Sequence, residues 1–209
     1  YLPKLIKDRR FDLIYDEHLY YYSVISLIKL LWLYELNLFK IDEIPVHGGS
    51  IRGYASHISF KENFNNTEEY VKFEKNDFKL FSNETYIEFN LDVNNIKNEL
   101  KKLILEITKK NKIICGFGAT AKSTTILNYI GKESKKIKCI YDNTPIKQNT
   151  YTPGAHILVK NESKFMSDSP DYTILFAWNY EKEIRNKYYN YEVNGGKWII
   201  LHPKVKILN

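Results

Sequence analysis

The sequence predicts an α/β protein whose C-terminal part is a small, doubly wound domain with a parallel sheet. After about residue 110, short unbroken apolar runs alternate with amphipathic stretches, which is typical of a parallel sheet covered by helices on both faces. A G-x-G-x-x-A turn, Gly116 to Ala121, joins one such run to a helix. The nine glycines and six prolines gather between the runs, where turns are required. Together these features favour a Rossmann-like fold.

The N-terminal part is expected to contain one long helix and two strands. Apolar residues recur at helical spacing across HLYYYSVISLIKLLWLYEL, residues 18–36. LFKIDEIPV and IRGYASHI are predicted strands joined by the HGGS turn, and the polar, Asn-rich residues 61–84 are predicted to be an irregular, partly helical connector. One helix and two strands cannot close a core, so we expect residues 1–60 to be the end of a second α/β domain.

The predicted Rossmann-like domain covers residues 85–209 and opens with an amphipathic helix over residues 91–110. The predicted elements that follow are, in order, KIICGFG (strand), ATAKSTTILNYIG (helix), KIKCIYD, AHILV and DYTILFAW (strands), EKEIRNKYYNYEV (helix) and KWIILHP (strand).

Composition narrows the functional class. Both cysteines lie in apolar runs and no Cys or His pair has metal-ligand spacing, so we expect buried free thiols in a reducing compartment and no metal site. No apolar run is long enough to cross a membrane, which favours a cytoplasmic protein without a membrane partner. The net charge is +6, but the lysines are interspersed with acids along helix faces and no nucleic-acid-binding signature is present. The one Met is Met166 and the chain begins at Tyr1, so we expect it to be part of a longer protein.

The turn CGFGATAK, residues 115–122, is the most informative local motif. Gly116 and Gly118 permit a tight turn and close approach of a ligand to the backbone, while Ala119 and Thr120 lead into a helix whose free N–H groups attract phosphate. Lys122 is a cation in the first helical turn. Its charge is unfavourable beside the positive end of the helix dipole unless an anion binds there. The alternative is a strand–helix turn without a ligand.

Further candidates follow the next strands at the same edge of the sheet. Asp142 ends a strand where an acidic group could bind a ribose, and Lys147 could reach a second phosphate. Gly154 fixes a turn in this loop, which could instead be a solvated connection. Trp178 could stack on a base or sugar or simply cap the core, and Asn179 follows it.

Two N-terminal motifs are weaker when judged by spacing alone. IYDEHLYYYS places Glu17 beside His18 near several tyrosines, so the histidine could be tuned as a base, or the acid could merely cap a helix. The HGGSIR turn, with His47 and Arg52, could bind an anion or be a plain hairpin turn.

In this order, IYDEHLYYYS, PVHGGSIR, CGFGATAK, YDNTPIKQNTYTPGAHI and AWN resemble the C-terminal half of the S-adenosylmethionine-dependent sugar C-methyltransferases. The resemblance covers nearly the whole chain apart from the connector. It implies that residues 1–60 complete a methyltransferase domain and that the rest helps to bind a nucleotide-diphosphate sugar. It further implies that His18, with Tyr15 and Glu17, removes a proton next to the sugar ketone, and that the enolate attacks the methyl group of S-adenosylmethionine.

Two positions depart from the family pattern, and two expected features are missing. Asp16 stands where the family usually has a first His, and Ser123 where it commonly has Gly. No glycine-rich turn for S-adenosylmethionine and no zinc cysteine cluster precede Tyr15, so the resemblance places both groups upstream and implies that the isolated chain is inactive. The alternatives are a non-catalytic dinucleotide- or nucleotide-binding module and, less favoured by these motifs, a basic interaction domain.

Overall fold

The structure, a computed structural model, describes residues 1–208 and, for His47, the backbone alone. It divides into two compact units. The N-terminal unit comprises residues 1–9 and 18–91, and the C-terminal unit comprises residues 10–17 and 92–209. The domain boundaries predicted from the sequence pattern, at residues 60 and 85, divide the chain differently and stay predictions.

The N-terminal unit is built on a two-stranded antiparallel hairpin. Its elements are α1 (Leu2–Lys7), α2 (Val24–Trp32), β1 (Leu36–Ile44), β2 (Ser50–His57) and α3 (Thr67–Lys72), followed by a π-helical turn, Phe73–Asp77. Both predicted strands are therefore confirmed. Val24, Leu38 and Ile41 form its buried core.

Helix α2 is much shorter than the apolar periodicity predicts. Ser23 ends the preceding extended segment by capping the helix: its side chain accepts the Ser26 N–H at 3.0 Å. The Glu74 carboxylate, fully buried, accepts the N–H groups of Val24 and Ile25 at 2.7 and 3.0 Å. The tyrosines at 20–22 thus lie outside the helix, because caps rather than hydrophobic spacing define where it begins. The acid that completes this cap comes from the predicted connector, which is partly helical as expected.

Helix α4 (Asn83–Lys109) begins earlier than predicted and leads to the sheet of the C-terminal unit. The elements that follow are β3 (Ile114–Phe117), α5 (Ala121–Ile130), β4 (Ile140–Asp142), β5 (Val159–Asn161), α6 (Phe165–Asp168), β6 (Tyr172–Leu175), α7 (Glu181–Lys187), α8 (Tyr189–Val193), β7 (Lys197–Ile200) and β8 (Lys206–Leu208). The sheet order is β5-β4-β3-β6-β7-β8, with every pair parallel except β7 and β8. Counted along the sheet's own strands this is the 3-2-1-4-5-6 order of a Rossmann fold, so the predicted fold class is confirmed.

Aromatic side chains fill the core of this sheet. Phe165 lies at the centre, with ring centroids 4.7–5.4 Å from its aromatic neighbours, which include Phe117, Tyr191 and Trp198. Both cysteines are free and buried, as predicted. None of the helices in the described part of the chain has the length and apolarity that crossing a membrane requires.

Candidate functional site

The candidate site lies where the chain order of the sheet reverses, between the carboxyl ends of β3 and β6. Ligands bind in such crevices because the connections leave the two strands in opposite directions. Gly118 follows β3 with φ of +92°, and a Cβ built on it would lie 2.8 Å from the Cβ of Ala177, the second residue after β6. Glycine is therefore needed at 118 both for its conformation and for the close packing of the two strand ends.

The glycine turn, defined here as residues 116–120, is held by hydrogen bonds on both sides of Ala119. The Ala119 N–H donates to Asp142 Oδ2 at 2.7 Å, and Lys147 Nζ donates to the Ala119 carbonyl at 2.9 Å. The other Asp142 oxygen accepts the Thr144 N–H at 2.8 Å. Asp142 and Lys147 thus have a clear structural role in fixing the turn. Their predicted contacts with a ribose and a phosphate stay predictions.

Helix α5 begins at this turn with a side-chain cap. Thr120 Oγ1 accepts the Ser123 N–H at 3.2 Å, and Ser123 Oγ donates to the Thr120 carbonyl at 2.6 Å. The fully buried Ser123 therefore fits the first turn without displacing it, although the family commonly has glycine there. Lys122 is half-buried in the same turn, where burial lowers its pKa while the negative charge of Asp12 opposes that shift.

The indole of Trp178 is surrounded by charged groups. Its Nε1–H donates to Asp12 Oδ2 at 2.6 Å. The Arg10 guanidinium carbon lies 4.8 Å from the ring centroid and Lys122 Nζ lies 5.6 Å from it. Two cations and one carboxylate thus meet at a single aromatic ring beside the start of α5. Stacking of this ring on a base or sugar stays a prediction.

Three residues of this arrangement were not singled out by the sequence: Arg10, Asp12 and His202. Asp12 is fully buried, and its Oδ1 lies 2.9 Å from His202 Nε2, whose side chain is 5% exposed. In sequence, Asp12 stands in an FDL segment without a recognisable motif, and His202 lies near the end of the predicted strand KWIILHP. The only sequence feature that could have indicated a buried Asp12 is an acid between two apolar residues, and many exposed turns share that pattern.

Two further predicted binding residues lie close to this edge. Asn179 directly follows Trp178, and its Oδ1 is buried without a hydrogen-bond partner within residues 1–208. Gly154, with φ of +72°, packs so closely on α5 that an added Cβ would overlap Asn128. The lack of a Cβ at Gly154 therefore allows the loop after β4 to approach the helix closely.

The predicted catalytic residues lie in an irregular turn before α2. Tyr15 is half-buried and Glu17 is exposed, and both belong to the C-terminal unit. His18, the first residue of the next stretch of the N-terminal unit, is exposed, with its ring 6.4 Å from that of Tyr21. Since the turn is not helical, the geometry does not force Glu17 and His18 onto different faces. Arg52 is exposed on β2 of the N-terminal unit, opposite Asp42 in the hairpin register. The His47 side chain lies outside the described residues.

The fold and the site define a Rossmann-like domain whose glycine turn leads into a helix with Lys122 in its first turn. Comparison with known proteins specifies the family. The family described as the C-methyltransferase C-terminal domain matches residues 45–203, and the chain belongs to that family. It is also 28% identical over 209 residues to the C-methyltransferase NovU of Streptomyces niveus, a match that covers 100% of this chain and 50% of that relative. The chain thus spans about half the length of this curated relative.

Proposed function

We propose that this chain binds the nucleotide-diphosphate ketosugar substrate of a C-methyltransferase and supplies the base for the reaction. One observation carries the proposal: Lys122 and Arg10 converge at Trp178, beside the start of α5 and the glycine turn. A diphosphate carries the charge that such a place attracts, because the helix N-terminus offers free N–H groups and a positive dipole end.

The charges at this point favour an anionic ligand. Lys122 opposes the helix dipole and is partly removed from water, which lowers its pKa. The buried carboxylate of Asp12 offsets part of the positive charge, but it is already engaged by Trp178 and lies against His202. A bound diphosphate would place negative charge beside the Lys122 and Arg10 side chains.

His18 is proposed as the base, with Tyr15 and Glu17 beside it in the chain. The C–H group next to a ketone is acidified by the carbonyl, and an exposed imidazole can accept its proton near neutral pH. Glu17 could stabilise the imidazolium that forms, and the Tyr15 hydroxyl could hydrogen-bond the enolate oxygen. These roles follow from the match of the three positions with the family motif.

The residues of this chain do not suit the methyl donor at the glycine turn. S-adenosylmethionine, which the family implies, carries a positive sulfonium next to the group that it transfers. Lys122 and Arg10 would repel that charge, so we assign no residue of this chain to the methyl donor. We accordingly expect the 209-residue chain alone to transfer no methyl group, and methyl transfer by the purified chain would contradict this.

Calorimetry with thymidine diphosphate tests the binding role. We expect measurable heat, and for Lys122→Gln a loss of affinity of about ten-fold or more, the usual range for one charge-assisted hydrogen bond. Lys132→Gln is the matched control, because Lys132 is an exposed lysine just after the other end of α5. No heat and no rise in melting temperature with the diphosphate would refute the proposal, as would equal losses in the two variants.

A non-catalytic dinucleotide-binding module is the second candidate, favoured by the 3-2-1-4-5-6 strand order. The hydrogen bonds of Asp142 give this candidate less support, because both carboxylate oxygens already accept backbone N–H groups. Fluorescence titration with NADH separates the two: tight NADH binding favours the module, and preference for the pyrimidine diphosphate favours the methyltransferase role.

A further inference from the structure

We propose that Asp12 is a positioning residue, which fixes the chain segment leading into the predicted catalytic turn to the carboxyl edge of the sheet. This inference rests on the proposed function for the meaning of that turn, but its physical content concerns contacts within the C-terminal unit alone. We call residues 10–13 the anchor segment.

The burial of Asp12 is the first argument. A carboxylate that is fully removed from water costs several kcal/mol unless partners compensate for it. Here the Trp178 indole N–H, after β6, donates a hydrogen bond to one carboxylate oxygen, and His202 Nε2, after β7, lies 2.9 Å from the other. The carboxylate therefore connects three separate stretches of chain at one point, and an apolar residue in its place could not do so.

The residues on either side of Asp12 are held in the same place. The Phe11 ring, 6% exposed, lies 5.4 Å from that of Tyr129 on α5 and 5.6 Å from that of His202. The Arg10 guanidinium covers the Trp178 ring. The anchor segment thus contacts the helix that begins at the glycine turn as well as the ends of β6 and β7.

Beyond the anchor segment, the chain is less buried. Ile14 is 47% exposed and Leu19 is 77% exposed, and of the residues between them Asp16 and Glu17 are exposed while Tyr15 is half-buried. A segment with little burial derives part of its order from the point where it is attached. Asp12 lies three residues before Tyr15 and five before Glu17, so the attachment is close enough to restrict both.

Amide hydrogen exchange in the 209-residue chain tests this role. The N–H groups of Leu13 and Ile14 close the turn by donating to the carbonyls of Arg10 and Phe11 at 3.1 and 3.0 Å. Asp12→Asn keeps an acceptor for the indole but removes its charge, and we expect it to speed exchange of these two amides about ten-fold. Amides of β3 and β6 should change no more than in the control.

The control is Glu162→Gln, which neutralises another buried carboxylate of the same unit, one that accepts hydrogen bonds from Lys187 and Tyr188. It should lower overall stability without selective exchange at Leu13 and Ile14. Unchanged exchange at these amides in Asp12→Asn would overturn the proposal. So would equal acceleration throughout the unit in both variants, which would indicate a general contribution to stability.

A double-mutant cycle distinguishes positioning through Trp178 from independent effects. Trp178→Phe removes the indole donor and should also speed exchange of the two amides. In the variant that carries both Asp12→Asn and Trp178→Phe, the increase in exchange rate should be smaller than the product of the two single increases. Fully multiplicative effects would overturn the proposed link between Asp12 and Trp178. None of these measurements uses a nucleotide, so they hold whether or not the wild-type chain binds a diphosphate.

Discussion

Replacing Gly118 with alanine should destabilise the C-terminal unit strongly, because the glycine turn tolerates no Cβ there. The residue has φ of +92°, and its added Cβ would lie 2.8 Å from Ala177 Cβ and 3.1 Å from Ala177 N. The left-handed conformation costs about 1–2 kcal/mol for a residue with a Cβ, and overpacking against a fixed backbone typically costs about 1–3 kcal/mol. We therefore expect the free energy of unfolding to fall by about 2–5 kcal/mol.

Gly195→Ala is the matched control for this prediction. Gly195 has φ of +89°, but nothing lies within 4 Å of the position of its added Cβ. It should cost only the conformational part, about 1–2 kcal/mol. Urea unfolding can be followed by tryptophan fluorescence, to which the fully buried Trp198 of this unit contributes. Equal losses in the two variants would refute the argument that β3 and β6 are packed too closely for a Cβ at this turn.

Three further predictions concern the same unit. Asp142→Ala should cost about 2–4 kcal/mol in urea unfolding, because two backbone N–H groups lose a charged acceptor, and a loss below about 1 kcal/mol would contradict this. Hydrogen bonding from Arg185 lowers the pKa of Glu192 from its ordinary value of 4.5, so its contribution to stability is present above that pH and is lost as the pH falls through the lowered pKa. Glu192→Gln should therefore flatten the acid side of the stability–pH curve, and an unchanged curve would count against the pair. Cys115 and Cys139, each 1% exposed, should react with an aromatic disulfide reagent only after unfolding, so reaction in the native state would contradict their burial.

Much of the C-terminal fold could be predicted because its strands have a distinctive pattern. Runs such as ICGF, buried at all four positions, occur where both faces of a sheet are covered. The final strand, Lys206–Leu208, was missed because it is a short edge strand with two exposed residues, and its pairing with β7 depends on a turn at His202-Pro203. Helix α2 was predicted to be too long because its apolar spacing continues through tyrosines that the Ser23 and Glu74 caps exclude.

Only the part of the site that lies within one short stretch of sequence could be predicted. Gly118, Thr120 and Lys122 were recognisable because one short stretch contains the turn, the cap and the cation. Asp12 and His202 are 190 positions apart, and no pattern in either stretch indicates that they meet. Long-range contacts of a buried acid depend on the tertiary fold, which sequence periodicity does not specify.

The contacts of Asp142 and Lys147 change how the glycine turn should be understood. If these two side chains bound only the ligand, the turn would have to form its phosphate-binding shape when the ligand arrives. Instead, Asp142 accepts the Ala119 N–H and Lys147 donates to the Ala119 carbonyl, so the peptide groups on both sides of Ala119 are oriented by the protein itself. A site organised in advance avoids the entropic cost of ordering a loop on binding. Lys122 and Arg10, which converge on the Trp178 ring and not on the backbone of the turn, are then the cations best placed to respond to a bound diphosphate.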